Sequence, residues 1–103
     1  MIYLKKHIAD QGSVLAMCDE ELLGRVLEEG KLLIDLDKYA GFYKGELISE
    51  EKAQGMVEGE ELHTANIVGE RSVAIMVGKG FASEDDVRKV SGVPFLQIFR
   101  LDL

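Results

Sequence analysis

The chain has 103 residues, 47% of them hydrophobic and 30% charged, with a formal net charge of −7. That length suits one domain with one buried core, and the composition excludes disordered, collagen-like and low-complexity classes. No uncharged stretch approaches the roughly 20 apolar residues of a spanning helix, and the start Met1-Ile2-Tyr3-Leu4-Lys5-Lys6 lacks a secretory pattern, so no membrane partner is expected.

Ile2–Ile8 mixes β-branched and aromatic residues with near-alternating lysines and predicts a half-exposed strand. Asp10-Gln11-Gly12-Ser13 is a turn signal, and the apolar run Ser13–Cys18 completes a predicted hairpin. Asp19 offers an N-cap, with Glu20 and Glu21 in the first turn, for a helix carrying Leu22, Leu23, Val26 and Leu27 and stopped by Gly30. Gly24 costs such a helix ~1 kcal/mol relative to alanine. Leu32–Asp37 predicts a third strand. Lys38–Gly45, the segment KYAGFYKG, is a loop holding three of the chain's seven aromatic residues.

Ser49 caps a short helix led by Glu50 and Glu51 and ending near Gly59. Thr64 or Asn66 begins the next helix, with Ile67, Val68, Ile75 and Met76 at helical spacing before Gly78 and Gly80. Ser83–Asp86 resembles a capping box and heads a short helix through Val90. Gly92-Val93-Pro94 then turns into a last strand, Phe95–Asp102, which is apolar on both faces and belongs inside a sheet or under a partner. The order ββαβαααβ predicts a single α+β domain over residues 1–103. Its sheet is expected to be small, four-stranded and mixed, with helices packed on one face.

Cys18 is the single cysteine, which excludes an internal disulfide and makes a reducing, cytoplasmic location the expectation. It stands at a strand-to-helix junction, where backbone amides lower a thiol pKa, yet Asp19, Glu20 and Glu21 push the other way. A buried, inert thiol accounts for it better than a nucleophile. His63 follows Glu58, Glu60 and Glu61 without the spacing of a helical zinc site, and no calcium-loop pattern occurs, so neither a metal nor a cofactor is expected. Thr64–Arg71 joins a helix start, Gly69 and Arg71 in a segment able to receive an anion, although ordinary capping explains the same residues.

Charge is uneven. Residues 19–61 hold thirteen acidic and five basic side chains. Such a middle disfavours nonspecific nucleic-acid binding, so an RNA partner is unsupported by net charge and would need a local cluster from Lys5, Lys6, Arg71, Lys79, Arg88, Lys89 and Arg100. One asparagine and three glutamines beside many Glu and Lys residues fit a protein from a hot environment. Tyr39, Phe42 and Tyr43, interleaved with Lys38 and Lys44, either stack on a partner or fold inward to cap the core.

Four segments stand out together: Cys18–Gly24 (CDEELLG), Phe42–Glu46 (FYKGE), Ala65–Glu70 (ANIVGE) and Gly92–Gln97 (GVPFLQ). In this set and order the chain resembles an archaeal family known as domain of unknown function 424. The likeness covers nearly the whole chain and implies a small, soluble, archaeal, cytoplasmic protein without an assigned activity. The family's pattern places a histidine after the proline, where this chain has Phe95, so no role of that imidazole is carried over.

The residues point to a non-enzymatic binding module that presents Tyr39, Phe42, Tyr43 and Lys44, with Asn66, Gly69 and Arg71 beside them, to a macromolecular partner. RNA or the translation apparatus is the partner class considered, on lineage more than on charge. The alternative is a small enzyme using Cys18 or a carboxylate with His63. A homodimer through Phe95–Leu103 or the aromatic loop is a further expectation, because so small a hydrophobic chain leaves apolar side chains outside its core.

Overall fold

The computed structural model describes residues 1–9, 12–58 and 64–99. Its elements run β1 (Ile2–Ala9), β2 (Gly12–Asp19), β3 (Val26–Glu29), β4 (Leu32–Asp35), the single turn α1 (Ala40–Tyr43), β5 (Glu46–Ile48), α2 (Glu50–Val57), β6 (Thr64–Val68), α3 (Glu70–Gly78), β7 (Arg88–Val90) and β8 (Val93–Phe99). Six strands form one sheet in the order β5-β1-β2-β6-β8-β7, while β3 and β4 pair as a separate hairpin. β2 and β6 run parallel and the other neighbours antiparallel. The α+β class and the mixed sheet are as expected. The strand count is not: the sheet has six strands rather than four, and Leu32–Asp35 lies outside it.

Four segments account for the difference, the first being β5, a three-residue strand left unassigned in the sequence that pairs with β1 at the sheet edge. The helix expected after Asp19 is one 3-10 turn, Glu20–Leu22, followed by Gly24 at φ 94° and then strand β3. A residue at that φ cannot continue an α-helix, so the glycine that looked like a tolerated cost is the break itself. Gly30, at φ 58°, is the turn of the β3–β4 hairpin rather than a helix stop. Next, Thr64–Val68 is β6, and helix α3 starts at Glu70. A five-residue run with apolar residues at Ala65, Ile67 and Val68 fits both periods, and here burial of Ala65 and Ile67 on one face settles the strand. Last, Glu84–Asp86 is a 3-10 turn, and the helix drawn through Val90 is strand β7. Ser91 at φ 50° and Gly92 at φ 79° make the two-residue turn that joins β7 to β8, with both central residues left-handed as such a hairpin requires.

Other expectations hold. Ser49 caps α2 by accepting the Lys52 N–H at 3.1 Å. β8 lies inside the sheet, between β6 and β7, as far as Phe99; the rest of the segment predicted to Asp102 lies outside the described residues.

Alternation along each strand gives the sheet two faces. Ile2, Leu4, Leu15, Met17, Ile67 and Leu96 point to α2 and α3 and meet Ala53, Val57, Val73 and Met76 in the larger core. The opposite face is covered over only part of its area. There Cys18, Val68 and Phe95 pack with Leu27 and Leu36 of the hairpin region and with Tyr43 of α1. Ser91 ties the hairpin down: its hydroxyl donates to the Glu28 carbonyl at 2.6 Å, and its N–H to Glu29 Oε1 at 2.8 Å. Beyond the hairpin and α1, the second face is open.

Candidate functional site

The residues singled out in the sequence divide between two places. The first is a junction where β2 ends. Asp19 is 2% exposed, and its carboxylate accepts from the Arg71 N–H at 3.1 Å, the Ser72 N–H at 2.9 Å and the Ser72 hydroxyl at 2.7 Å. It therefore caps α3 from a strand fifty-two residues away in the chain. Gly69, at φ 112°, precedes that helix, and a Cβ there would run into the Asp19 carboxylate. The Arg71 side chain pairs with Glu21, and its Nε lies 3.7 Å from Asp19 and 3.8 Å from Glu50. The helix start read from the sequence as an anion site thus holds the protein's own carboxylate. Gly69 and Arg71 build this junction; Asn66, in mid-strand, is no part of it.

The second place is the open face. Strand register sets two rows of side chains across it. One row is Lys5, Ala16, Asn66 and Gln97; the next, about 7 Å along the strands, is His7, Val14, Thr64 and Phe99. Arg88 stands opposite Phe95 at the edge strand, 5.5 Å over its ring. Among the described residues, the strand positions of this face carry no carboxylate, in a chain with 19 acidic residues. Phe99 is 68% exposed on it.

The aromatic segment borders the same face. It is a helical turn rather than a loop, and its three rings part company. Tyr43 is 9% exposed and caps the smaller core, whereas Tyr39 is 56% exposed with the Lys38 ammonium 5.5 Å over its ring. Phe42 lies between: it stacks on His7 at 4.5 Å and meets Tyr43 edge-on at 5.1 Å. Two strand residues hold the turn from below. His7 Nε2 donates to the Phe42 carbonyl and Lys5 Nζ to the Gly41 carbonyl, each at 2.8 Å. Gly45 lets the chain pass β1, since a Cβ there would collide with Leu4 and Lys5. Lys44 is exposed at the end of the turn.

Between this segment, the β4 strand and the sheet runs a groove of about 500 Å³. Leu33, Ile34, Tyr39 and Phe42 line its sides, and Asn66 and Gln97 line its sheet side, with Asp35 at the β4 end. The Gln97 amide donates to Asn66 Oδ1 at 3.4 Å. Asp35 Oδ1 accepts from the Asp37 N–H at 3.1 Å and the Lys38 N–H at 2.8 Å. Gln97, Phe99 and Asp35 were missed as site residues in the sequence, whereas Lys5 and Arg88 stood in the set of basic residues named for a local cluster. For Gln97 and Phe99 a signal existed, the period-two spacing from Phe95 that puts all three on one face.

Cys18 is buried, and its thiol donates to the Asp19 carbonyl at 3.3 Å. Burial, then the charges of Asp19 and Glu21, push its pKa from 9.0 up to about 12, so it is a protonated thiol at neutral pH. His63, its suggested partner, lies outside the described residues, as do Arg100 and the C-terminal residues through Leu103. Among the described residues no three His, Cys, Asp or Glu side chains are grouped to hold a metal ion, and no helix is long and apolar enough to cross a membrane.

A family described as "Protein of unknown function (DUF424)" matches residues 6–101. The chain is also similar to a solved structure, the crystal structure of an uncharacterized conserved protein from Methanopyrus kandleri. The two share 28% identity with a TM-score of 0.78, over 99% of this chain and 96% of the other. No curated protein matches.

Proposed function

The chain belongs to the DUF424 family, and from that premise and the geometry above we propose that it is a non-enzymatic binding module whose open sheet face and adjoining groove receive single-stranded RNA. The observation that carries this reading is the composition of that face: exposed rings, paired amides and cations, with no carboxylate on its strands. Bases of a single strand stack on exposed rings at ~1–3 kcal/mol each, and here Phe99 and Tyr39 supply the rings. Lys5, Lys38 and Arg88 supply cations for the backbone of such a strand, so attraction is local although the whole chain is acidic. Few phosphates are then neutralised, which makes the salt dependence shallow.

Fluorescence anisotropy of a labelled single-stranded RNA, titrated with the full chain at low and at moderate salt, tests the proposal. Binding is expected at low salt and a few-fold weaker at moderate salt. Tyr39→Ala and Phe99→Ala should each weaken it about tenfold. Unmeasurable binding at both salts removes RNA as the partner.

A further inference from the structure

Resting on that reading, we infer that a cavity at the β7 end of the groove is an anion site that takes a phosphate group of the bound strand, held by Arg88 and the Tyr43 hydroxyl. The cavity measures about 170 Å³. Leu33, Ile34, Tyr43, Asn66 and Gln97 line both it and the groove, so the two are ends of one channel between β4 and the sheet. The ends differ in charge. Asp35 stands at the groove end, whereas the cavity adds Arg88 and Phe95 and has no carboxylate in its lining. Asn66 and Gln97 offer amide donors and acceptors to both ends, so the charged groups decide what each end takes.

Two groups at the cavity end lack partners. Arg88 is exposed and packs over the Phe95 ring, a contact that uses its charge and none of its N–H donors. It makes no ion pair or hydrogen bond among the described residues. Tyr43 is only 9% exposed, yet its hydroxyl has no hydrogen-bond partner among the described residues either. The buried side chains packed with it in the smaller core are apolar apart from the Cys18 thiol, which gives its own hydrogen to the Asp19 carbonyl. Buried polar groups are nearly always paired, and one left unpaired costs stability. Burial, then Cys18, raises the Tyr43 pKa to about 12, so the hydroxyl keeps its proton at neutral pH and can donate it. Phosphate oxygens accept from this hydroxyl and from the Arg88 N–H groups, while Asp35 repels the same group from the other end.

The test titrates the full chain into a labelled single-stranded RNA by anisotropy over a series of salt concentrations. Arg88→Gln should weaken binding about tenfold and flatten the slope of log affinity against log salt by about 0.7, the share of one phosphate contact on a single strand. Lys52→Gln removes a like charge from α2, across the sheet, and should change affinity by less than about twofold. Tyr43→Phe keeps the ring that caps the core; it should weaken binding about fivefold while the melting temperature holds or rises. A purely structural hydroxyl would give the reverse, a lower melting temperature with binding intact, and would overturn the inference. So would an Arg88→Gln loss no greater than that of Lys52→Gln; in either case RNA binding itself stands. Competition by AMP as effective as that by the strand overturns the strand as the source of the phosphate. If no strand binds, the proposal beneath the inference has failed and the inference falls with it.

Discussion

The junction at Asp19 and the face around Asn66 are built on the same two strands, β2 and β6, a few residues apart, yet they treat polar groups in opposite ways. At the junction every oxygen of a buried carboxylate meets a donor, the helix start is capped, and the glycine beside it leaves no room for a side chain. On the open face, amides and rings are presented without filling one another's hydrogen-bonding or stacking capacity. Closed polar groups of the first kind stabilise a fold, because an unpaired buried donor or acceptor costs about 1–3 kcal/mol. Open ones of the second kind contribute little to folding and are free to meet a ligand. Arg71 and Asn66 were grouped in the sequence as one binding set; their surroundings separate them into a structural residue and a surface one.

Substitutions should break along that line. The largest loss is expected for Gly69→Ala. It forces alanine to φ 112° and drives a methyl group into Asp19, at about 3 kcal/mol or more, read as a fall in melting temperature. Asp19→Ala leaves the first N–H groups of α3 and the Ser72 hydroxyl unpaired in a buried place, at about 2–3 kcal/mol by chemical denaturation. Tyr39→Ala and Phe99→Ala, by contrast, should change stability by no more than about 0.5 kcal/mol while weakening RNA binding. A large destabilisation by either would move that ring from the open face into the core.

The buried thiol sharpens the comparison from another side. Cys18 titrates near 9.0 when unfolded and near 12 when folded, so the folded state holds its proton where the unfolded state has lost it. This contribution to stability is fully present below about pH 9 and is lost as pH rises toward 12. Tyr43, raised from 10.0 to about 12 by burial and then by Cys18, adds in the same direction over the upper part of that range. Cys18→Ala should flatten the pH dependence of stability between pH 9 and 12, and the native thiol should resist alkylation at neutral pH. Rapid alkylation of the folded chain would contradict its burial. The smallest effect concerns self-association. Sedimentation at micromolar concentration should give a mass near 11.4 kDa if the face is kept for a ligand; twice that mass would make a second copy of the chain its occupant.

How much of this was legible in the sequence depends on the distance over which each feature is decided. The β1–β2 hairpin, the Ser49 cap and the interior position of β8 follow from local alternation and turn residues, and they were read correctly. Gly24 and Ser91-Gly92 carry backbone conformations that composition alone does not reveal, and with them went β3 and β7. The Asp19 cap on α3 pairs residues more than fifty positions apart, so the acid looked like the cap of the helix that followed it. Asn66 was picked out as a helix start and belongs to the open face instead. Gln97 and Asp35 acquire their place only when β6, β8 and β4 come together.

The most direct test of the division between the two regions is a map of backbone and side-chain amide shifts by NMR as single-stranded RNA is added to the full chain. Changes are expected at Lys5, Tyr39, Asn66, Gln97 and Phe99, including the Asn66 and Gln97 side-chain amides, while Asp19, Gly69 and Ser72 stay in place. Changes centred on Arg71 and Ser72 with a silent open face, or no changes at all, would contradict the account.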